Sequence, residues 1–139
     1  MSILVDTSVW SLALRRKAAP SSQEETLRYL IRDGQVKVIG PIRQELLSGI
    51  PSLEQFEALK SRLSYFPDTV IQTSDYELAA SFFNVCRQNG IQGSHVDFLI
   101  CAVATNNEFQ IYTTDKDFLS YRKHLPIMLF KDNYPGASV

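Results

Sequence analysis

Short apolar runs alternate with amphipathic stretches along most of the chain, and this alternation limits the possible folds more than any other feature. The five runs cover residues 3–5, 36–39, 66–71, 109–112 and 127–130. Between them, apolar side chains recur at helical spacing, as Val96, Leu99, Ile100 and Val103 do. Strands separated by helices predict an α/β fold of three layers, α/β/α, around a central, mainly parallel sheet of about five strands.

Residues that favour helix starts precede most of the amphipathic stretches. Ser21 and Ser22 form overlapping capping boxes with glutamates three residues further on, and Gly40-Pro41 suits the first turn of a helix. The other predicted starts, including a short helical turn over residues 116–121, are Asp6-Thr7-Ser8, Ser52, Ser74, Ser94 and Lys116.

Size and charge narrow the function classes. The 139 residues, of which 45% are hydrophobic, predict one domain over residues 1–139, with residues 133–139 as a loose tail. The 14 Lys and Arg residues balance 15 Asp and Glu residues. This balance argues against a protein that coats nucleic acid through bulk positive charge, so any such contact should be local.

The cysteines and the apolar runs indicate a soluble, intracellular protein. Cys86 and Cys101 stand apart in apolar surroundings, which suits reduced core thiols rather than a disulfide framework or a zinc site. No run approaches the roughly 18 apolar residues of a membrane span. We therefore expect a cytoplasmic location and no membrane association.

Four acids are predicted to meet at one edge of the sheet. Asp6 follows the first strand and Asp115 the fourth, while Glu45 lies on the helix after the second strand and Asp97 in the first turn of the helix before the fourth. Open α/β sheets place their ligands at the carboxyl ends of the strands. If the strands run parallel, all four carboxylates could converge there.

A divalent ion is the usual solution when carboxylates repel one another at close range. Sites built only from oxygen favour Mg²⁺ or Mn²⁺, and such ions promote hydrolysis of phosphodiester bonds. Each acid also has an ordinary explanation: Asp6 and Asp97 as helix caps or first-turn charges, Glu45 as a solvated residue and Asp115 as a turn residue. Spacing alone leaves both interpretations open.

Four ordered signatures resemble the PIN-domain family and, within it, the VapC-type toxins of toxin–antitoxin modules. They are Ile3-Leu4-Val5-Asp6-Thr7-Ser8-Val9-Trp10, Glu45, Asp97-Phe98-Leu99-Ile100-Cys101-Ala102 and Thr113-Thr114-Asp115-Lys116-Asp117-Phe118. The resemblance covers nearly the whole chain. It matches Asp6, Glu45, Asp97 and Asp115 to the acidic quartet of that family. It also matches Thr7 or Ser8 to a small hydroxyl residue beside the first acid, and Asp117 to a position that is often acidic and could assist.

The resemblance also implies an activity and partners. It implies a metal-dependent endoribonuclease that uses Mg²⁺ or Mn²⁺ on cellular RNA such as tRNA or rRNA, a homodimer, and inhibition by a VapB-like antitoxin. Basic side chains could bind RNA phosphates near the site, and the candidates are Arg15, Arg16, Lys17, Arg43 and Lys116. Trp10 is expected in the core or at an interface.

Two other classes of protein place acids at similar positions. An aspartyl phosphotransferase also carries its nucleophilic aspartate after a first strand, but Ser8 stands where that chemistry needs a second aspartate. A non-catalytic, receiver-like or protein-binding α/β module would use the same acids to hold a regulatory metal ion. RNA cleavage that depends on a metal separates this alternative from the ribonuclease.

Overall fold

A small parallel sheet forms the centre of the protein. The structure is a computed structural model, and it describes residues 1–14 and 19–131. Strand β1 (Ile3–Val5) lies between β2 (Val36–Lys37) and β3 (Gln110–Tyr112), and both pairings are parallel. The predicted parallel α/β arrangement is confirmed.

The two outer strands that the sequence predicts are reduced to single parallel bridges. In the segment over residues 66–71, only Asp68 pairs, with Val38, and the Thr69 amide donates to the Val38 carbonyl at 2.8 Å. Pro67 lacks an N–H group, which shortens any ladder here. In the segment over residues 127–130, Leu129 pairs with Ile111. The described sheet therefore has three strands and one further bridge at each edge, rather than five full strands.

Seven helices surround the sheet within the described residues. The most extensive helix–helix contacts join α5 to α6 and α1 to α2, and α3 packs against both α1 and α4. Their bounds are α1 (Thr7–Leu14), α2 (Ser22–Arg32), α3 (Gly40–Leu47), α4 (Leu53–Leu63), α5 (Thr73–Gln88), α6 (His95–Asn107) and α7 (Asp117–Arg122).

Predicted serine caps explain the starts of α2, α4 and α6. The side chains of Ser21, Ser52 and Ser94 each accept a backbone N–H from the residue three positions later. The prediction for Ser74 was wrong, because α5 begins at Thr73 with Gln72 as its cap. The Asp75 carboxylate, which is buried, accepts the Gln72 amide at 2.9 Å and so fixes that start.

The apolar core covers the sheet and continues into α6. The three residues of β1 are at most 1% exposed, and every residue from Phe98 to Ala104 is buried, so α6 is enclosed on more than the single face that its periodicity indicates. Trp10 is also buried and packs edge-on against Phe66. Both cysteines are free and buried, as predicted.

None of the described helices is long and apolar enough to cross a membrane. The predicted loose tail over residues 133–139 lies outside the described residues.

Candidate functional site

Asp6 lies directly after the central strand. Its backbone N–H donates to the Tyr112 carbonyl of β3 at 2.9 Å, so the chain leaves β1 while still hydrogen-bonded to the neighbouring strand. The side chain is only 6% exposed. Asp6 is thus a nearly buried acid at the carboxyl edge of the sheet, where α/β proteins bind ligands.

Two hydroxyl groups hold the Asp6 carboxylate. Its Oδ2 accepts hydrogen bonds from Ser8 Oγ at 2.8 Å and from Thr113 Oγ1 at 2.9 Å. Ser8 Oγ also accepts the Thr114 amide, and Thr113 Oγ1 accepts the Asp115 amide at 3.0 Å. This network connects the end of β1 with the loop after β3. Thr113 carries no role of its own in the sequence analysis, although it stands two residues before Asp115.

Three aspartates form a compact cluster beside this network. One carboxylate oxygen from each of Asp97, Asp115 and Asp117 lies within 4.8 Å of the other two. Asp117 was expected beside the acids, and the structure brings its carboxylate into the cluster itself. It begins α7, while Asp115 Oδ1 accepts the Asp117 amide at 2.9 Å and so fixes the turn into that helix.

Burial and neighbouring charge act together on Asp97. Its half-buried position raises its pKa most, and the negative charges of Asp6 and Asp115 raise it further. Hydrogen bonds from Tyr121 and Ser94 oppose this rise. The charges of Asp6 and Asp115 therefore act on the Asp97 carboxylate, and these three carboxylates form one acidic unit.

Tyr121 contacts this unit from the core, and sequence analysis did not single it out. Its hydroxyl donates to Asp97 Oδ2 at 2.7 Å, and its ring is completely buried. Burial is the main cause that raises the pKa of the Tyr121 hydroxyl, and the bond to Asp97 is the next. The one available signal was its position in the predicted turn that follows Asp115.

Glu45 is more loosely connected to the other acids. It is exposed on α3, and its Oε1 accepts a hydrogen bond from Thr7 Oγ1 at 3.2 Å. Thr7 is the residue after Asp6, so this contact ties α3 to the start of α1. Glu45 does not belong to the 4.8 Å cluster of the described residues.

The Arg43 side chain is held by contacts within the protein. Its Nε donates to Asp68 Oδ1 at 2.9 Å, and its other nitrogens donate to the carbonyls of Leu63 and Phe66. Most of its N–H groups are therefore engaged, which leaves little for an RNA phosphate. Lys116, by contrast, is exposed between Asp115 and Asp117. Arg15, Arg16 and Lys17 lie outside the described residues.

The donor set fits a divalent ion. Asp97, Asp115 and Asp117 offer only carboxylate oxygens, which suit Mg²⁺ or Mn²⁺ better than zinc or copper. Within residues 1–14 and 19–131, no ion pair joins a Lys or Arg side chain to these acids or to Asp6. A close group of carboxylates without a cationic side chain is an arrangement that a bound metal ion would neutralise.

Comparison with solved structures shows the same fold in several proteins. VapBC2 from Rickettsia felis, solved bound to a DNA fragment from its promoter, is 18% identical, with a TM-score of 0.75 and 94% of this chain and 98% of that chain covered. FitAcB from Neisseria gonorrhoeae is 18% identical, with a TM-score of 0.72 and coverage of 95% and 99%. VapBC-5 from Mycobacterium tuberculosis, a member of the VapBC family of toxin–antitoxin systems, is 17% identical, with a TM-score of 0.68 and coverage of 94% and 99%.

At these identities the likeness shows the fold alone. A search of curated protein sequences gives no significant match. The family model of the PIN domain, however, matches residues 3–124, which include all the acids described above. This chain therefore belongs to the PIN-domain family.

Proposed function

We propose that this PIN domain is a metal-dependent endoribonuclease, the toxin of a toxin–antitoxin module, that hydrolyses phosphodiester bonds in cellular RNA such as tRNA or rRNA. PIN domains are generally nucleases that use divalent metal ions, which supports the reaction class. The observation that carries the proposal is the cluster of Asp97, Asp115 and Asp117 within 4.8 Å, beside the nearly buried Asp6.

In this proposal Asp6, Glu45, Asp97 and Asp115 hold Mg²⁺ or Mn²⁺. When bound, such an ion supplies positive charge that stabilises the phosphoryl transition state and activates water for attack. Ser8 and Thr113 orient the Asp6 carboxylate through their hydroxyl groups. Thr7 restrains Glu45 in the same way. These contacts reduce the freedom of the carboxylates before the substrate arrives.

The substrate contacts are proposed from charge. Lys116 is exposed beside the acids and is suited to bind a phosphate of the RNA backbone. We assign the same role to Arg15, Arg16 and Lys17, which follow the end of α1 in sequence. Contacts of this kind position RNA without reading its bases.

The partners are proposed from the structural neighbours. The Mycobacterium tuberculosis protein belongs to a toxin–antitoxin family, and a further neighbour, at 17% identity and a TM-score of 0.63, is a toxin–antitoxin complex from Klebsiella pneumoniae. We infer that this chain binds a VapB-like antitoxin, forms a homodimer and acts in the cytoplasm. An antitoxin arginine could pair with the acids and compete with the metal.

Removal of the metal tests the proposal. We expect purified protein to cleave total tRNA when Mg²⁺ or Mn²⁺ is added and to stop when EDTA is present, because only oxygen ligands are offered. Gel analysis of labelled RNA measures the rate. Undiminished cleavage in EDTA would overturn the metal mechanism. Metal binding without any cleavage would favour the receiver-like module instead.

Asp115 and Asp117 should differ in their effects on cleavage. The Asp115 amide donates to Thr113, which binds Asp6, whereas Asp117 is exposed and its amide donates to Asp115, one step further from Asp6. We expect Asp115→Asn to remove nearly all activity and Asp117→Asn to cost about tenfold. Cleavage rates of both variants across a range of Mn²⁺ concentrations provide the measurement. A larger loss from Asp117→Asn would assign the fourth ligand to Asp117.

A further inference from the structure

We propose that Tyr121 is a positioning residue, which fixes the Asp97 carboxylate for the metal through its buried hydroxyl and depends on Gly93 for the space to do so. This inference rests on the proposed function. It adds two residues to the site, Tyr121 on α7 and Gly93 in the loop before α6. Neither contacts the reacting atoms.

The Tyr121 ring is packed tightly in the core. It is completely buried, and its centroid lies 5.0 Å from the centroid of the Phe98 ring and 5.1 Å from that of the Phe118 ring. Because aromatic neighbours confine the ring, the position of the hydroxyl is set by core packing rather than by solvent. A hydroxyl held in this way can restrain the orientation of the carboxylate that it contacts.

Only one oxygen of Asp97 is used by this contact. Oδ2 accepts the Tyr121 hydroxyl at 2.7 Å, and this bond lowers the pKa of Asp97 more than the hydrogen bond from Ser94 does. The Asp97 amide donates to Ser94 Oγ at 3.0 Å, which fixes the first turn of α6. Backbone and side chain of Asp97 are therefore both anchored, and one of its carboxylate oxygens lies within 4.8 Å of oxygens of Asp115 and Asp117, where an ion could be held.

Gly93 provides the space for the hydroxyl. A Cβ atom at this position would lie 2.4 Å from the Tyr121 oxygen and 2.8 Å from Cζ of Phe98. Real Cβ atoms do not approach other atoms this closely, so an alanine would displace Tyr121, Phe98 or both. Gly93 therefore matters because it has no Cβ atom that would displace the Tyr121 hydroxyl.

Loss of the hydroxyl should weaken metal binding without changing the packing of the ring. We expect Tyr121→Phe to raise the dissociation constant for Mn²⁺ by about 10- to 100-fold, the range found when groups behind metal ligands are removed. The EPR signal of free Mn²⁺ measures binding without any RNA, and circular dichroism checks that the variant is folded. Tyr65→Phe, at a tyrosine that is 86% exposed, is the matched control and should bind as the wild type does.

Gly93→Ala provides a second and independent arm. It should weaken Mn²⁺ binding by displacing the hydroxyl. When Tyr121 is already phenylalanine the further loss should be smaller, because the clash with the hydroxyl is then absent and only the clash with Phe98 is left. This non-additivity separates positioning from general destabilisation, which would weaken binding in both backgrounds. Additive losses would overturn the role of Gly93 in the proposal.

The outcomes distinguish this inference from the proposed function. If folded Tyr121→Phe binds Mn²⁺ with wild-type affinity while the wild type cleaves RNA, the positioning role is wrong and the ribonuclease stands. If the wild type binds Mn²⁺ but cuts no RNA, and Tyr121→Phe binds more weakly, the ribonuclease is wrong and the positioning role stands. Absence of Mn²⁺ binding to the wild type would overturn both.

Discussion

Replacement of Asp97 by asparagine is expected to remove RNA cleavage almost completely while the protein stays folded. The variant keeps a side-chain oxygen that can accept the Tyr121 hydroxyl, but it loses the negative charge that the proposed ion requires. The loss should exceed the roughly 100-fold upper range found for residues behind metal ligands. Asp6→Asn should have the same effect, and single-turnover cleavage at saturating Mn²⁺ provides the measurement.

Asp97→Asn should also stabilise the protein at neutral pH when no metal is present. Burial, followed by the charges of Asp6 and Asp115, raises the pKa of Asp97 in the folded state. An acid with a raised pKa destabilises the folded state when it ionises; this cost is complete above the folded pKa and disappears below the unfolded pKa. The variant should therefore unfold at a higher temperature than the wild type near pH 7, and the difference should vanish near about pH 3.

Glu57→Gln is the control for both measurements. Glu57 is exposed on α4 and makes only a long ion pair, 3.9 Å from Lys60, so its substitution should change neither cleavage nor the unfolding temperature. A lower unfolding temperature for Asp97→Asn at pH 7 would show that the carboxylate supports the fold. The ionised Asp97 carboxylate would then stabilise the folded protein instead of destabilising it.

Arg43→Ala is expected to cause the largest loss of stability among the basic residues considered. Its guanidinium group connects α3 with the end of α4 and the chain that follows, where it donates to the carbonyls of Leu63 and Phe66 and pairs with Asp68. Without Arg43 the Leu63 carbonyl still accepts the Phe66 amide at 3.0 Å, so the main cost comes from the Phe66 carbonyl, about 1–3 kcal/mol for a group shielded from water. Because the Arg43 side chain is 23% exposed, we expect a total loss of about 2–3 kcal/mol. Urea unfolding measures it.

Asp68→Asn separates the carbonyl contacts from the ion pair. It leaves both carbonyls bonded to Arg43 and changes only a pair whose Asp68 side chain is 43% exposed, so it should cost less than about 1 kcal/mol. RNA binding by Arg43→Ala should be unchanged under conditions in which the variant is folded. Weaker RNA binding by Arg43→Ala, with unchanged stability, would mean that Arg43 contacts RNA.

Local signals in the sequence were sufficient for most of the secondary structure. Ser21, Ser52 and Ser94 cap their helices because a hydroxyl can reach an amide three residues away in any fold. The central strand follows from the bulky run that ends at Asp6. The prediction failed at Ser74, where the buried Asp75 fixes the start of α5 one residue earlier through the amide of Gln72.

The outer strands were predicted too long because apolar content does not determine pairing. The segment over residues 66–71 has the composition of a strand, yet with Pro67 in it the segment makes one bridge, to Val38 just after β2. The assignment of Asp6, Glu45, Asp97 and Asp115 as metal ligands stays a prediction. It came from their places after strands and in first turns, together with the family resemblance.

Periodicity and capping act over a few residues, so the order of the elements, the parallel sheet and the position of Asp6 at its edge could be predicted from the sequence. Three features are visible only in the folded protein: Asp117 lies with Asp97 and Asp115, Thr113 binds Asp6, and Tyr121 reaches Asp97 past Gly93. These contacts join residues that are distant in the chain. They depend on how whole helices and strands pack, and no local pattern of residues encodes that packing.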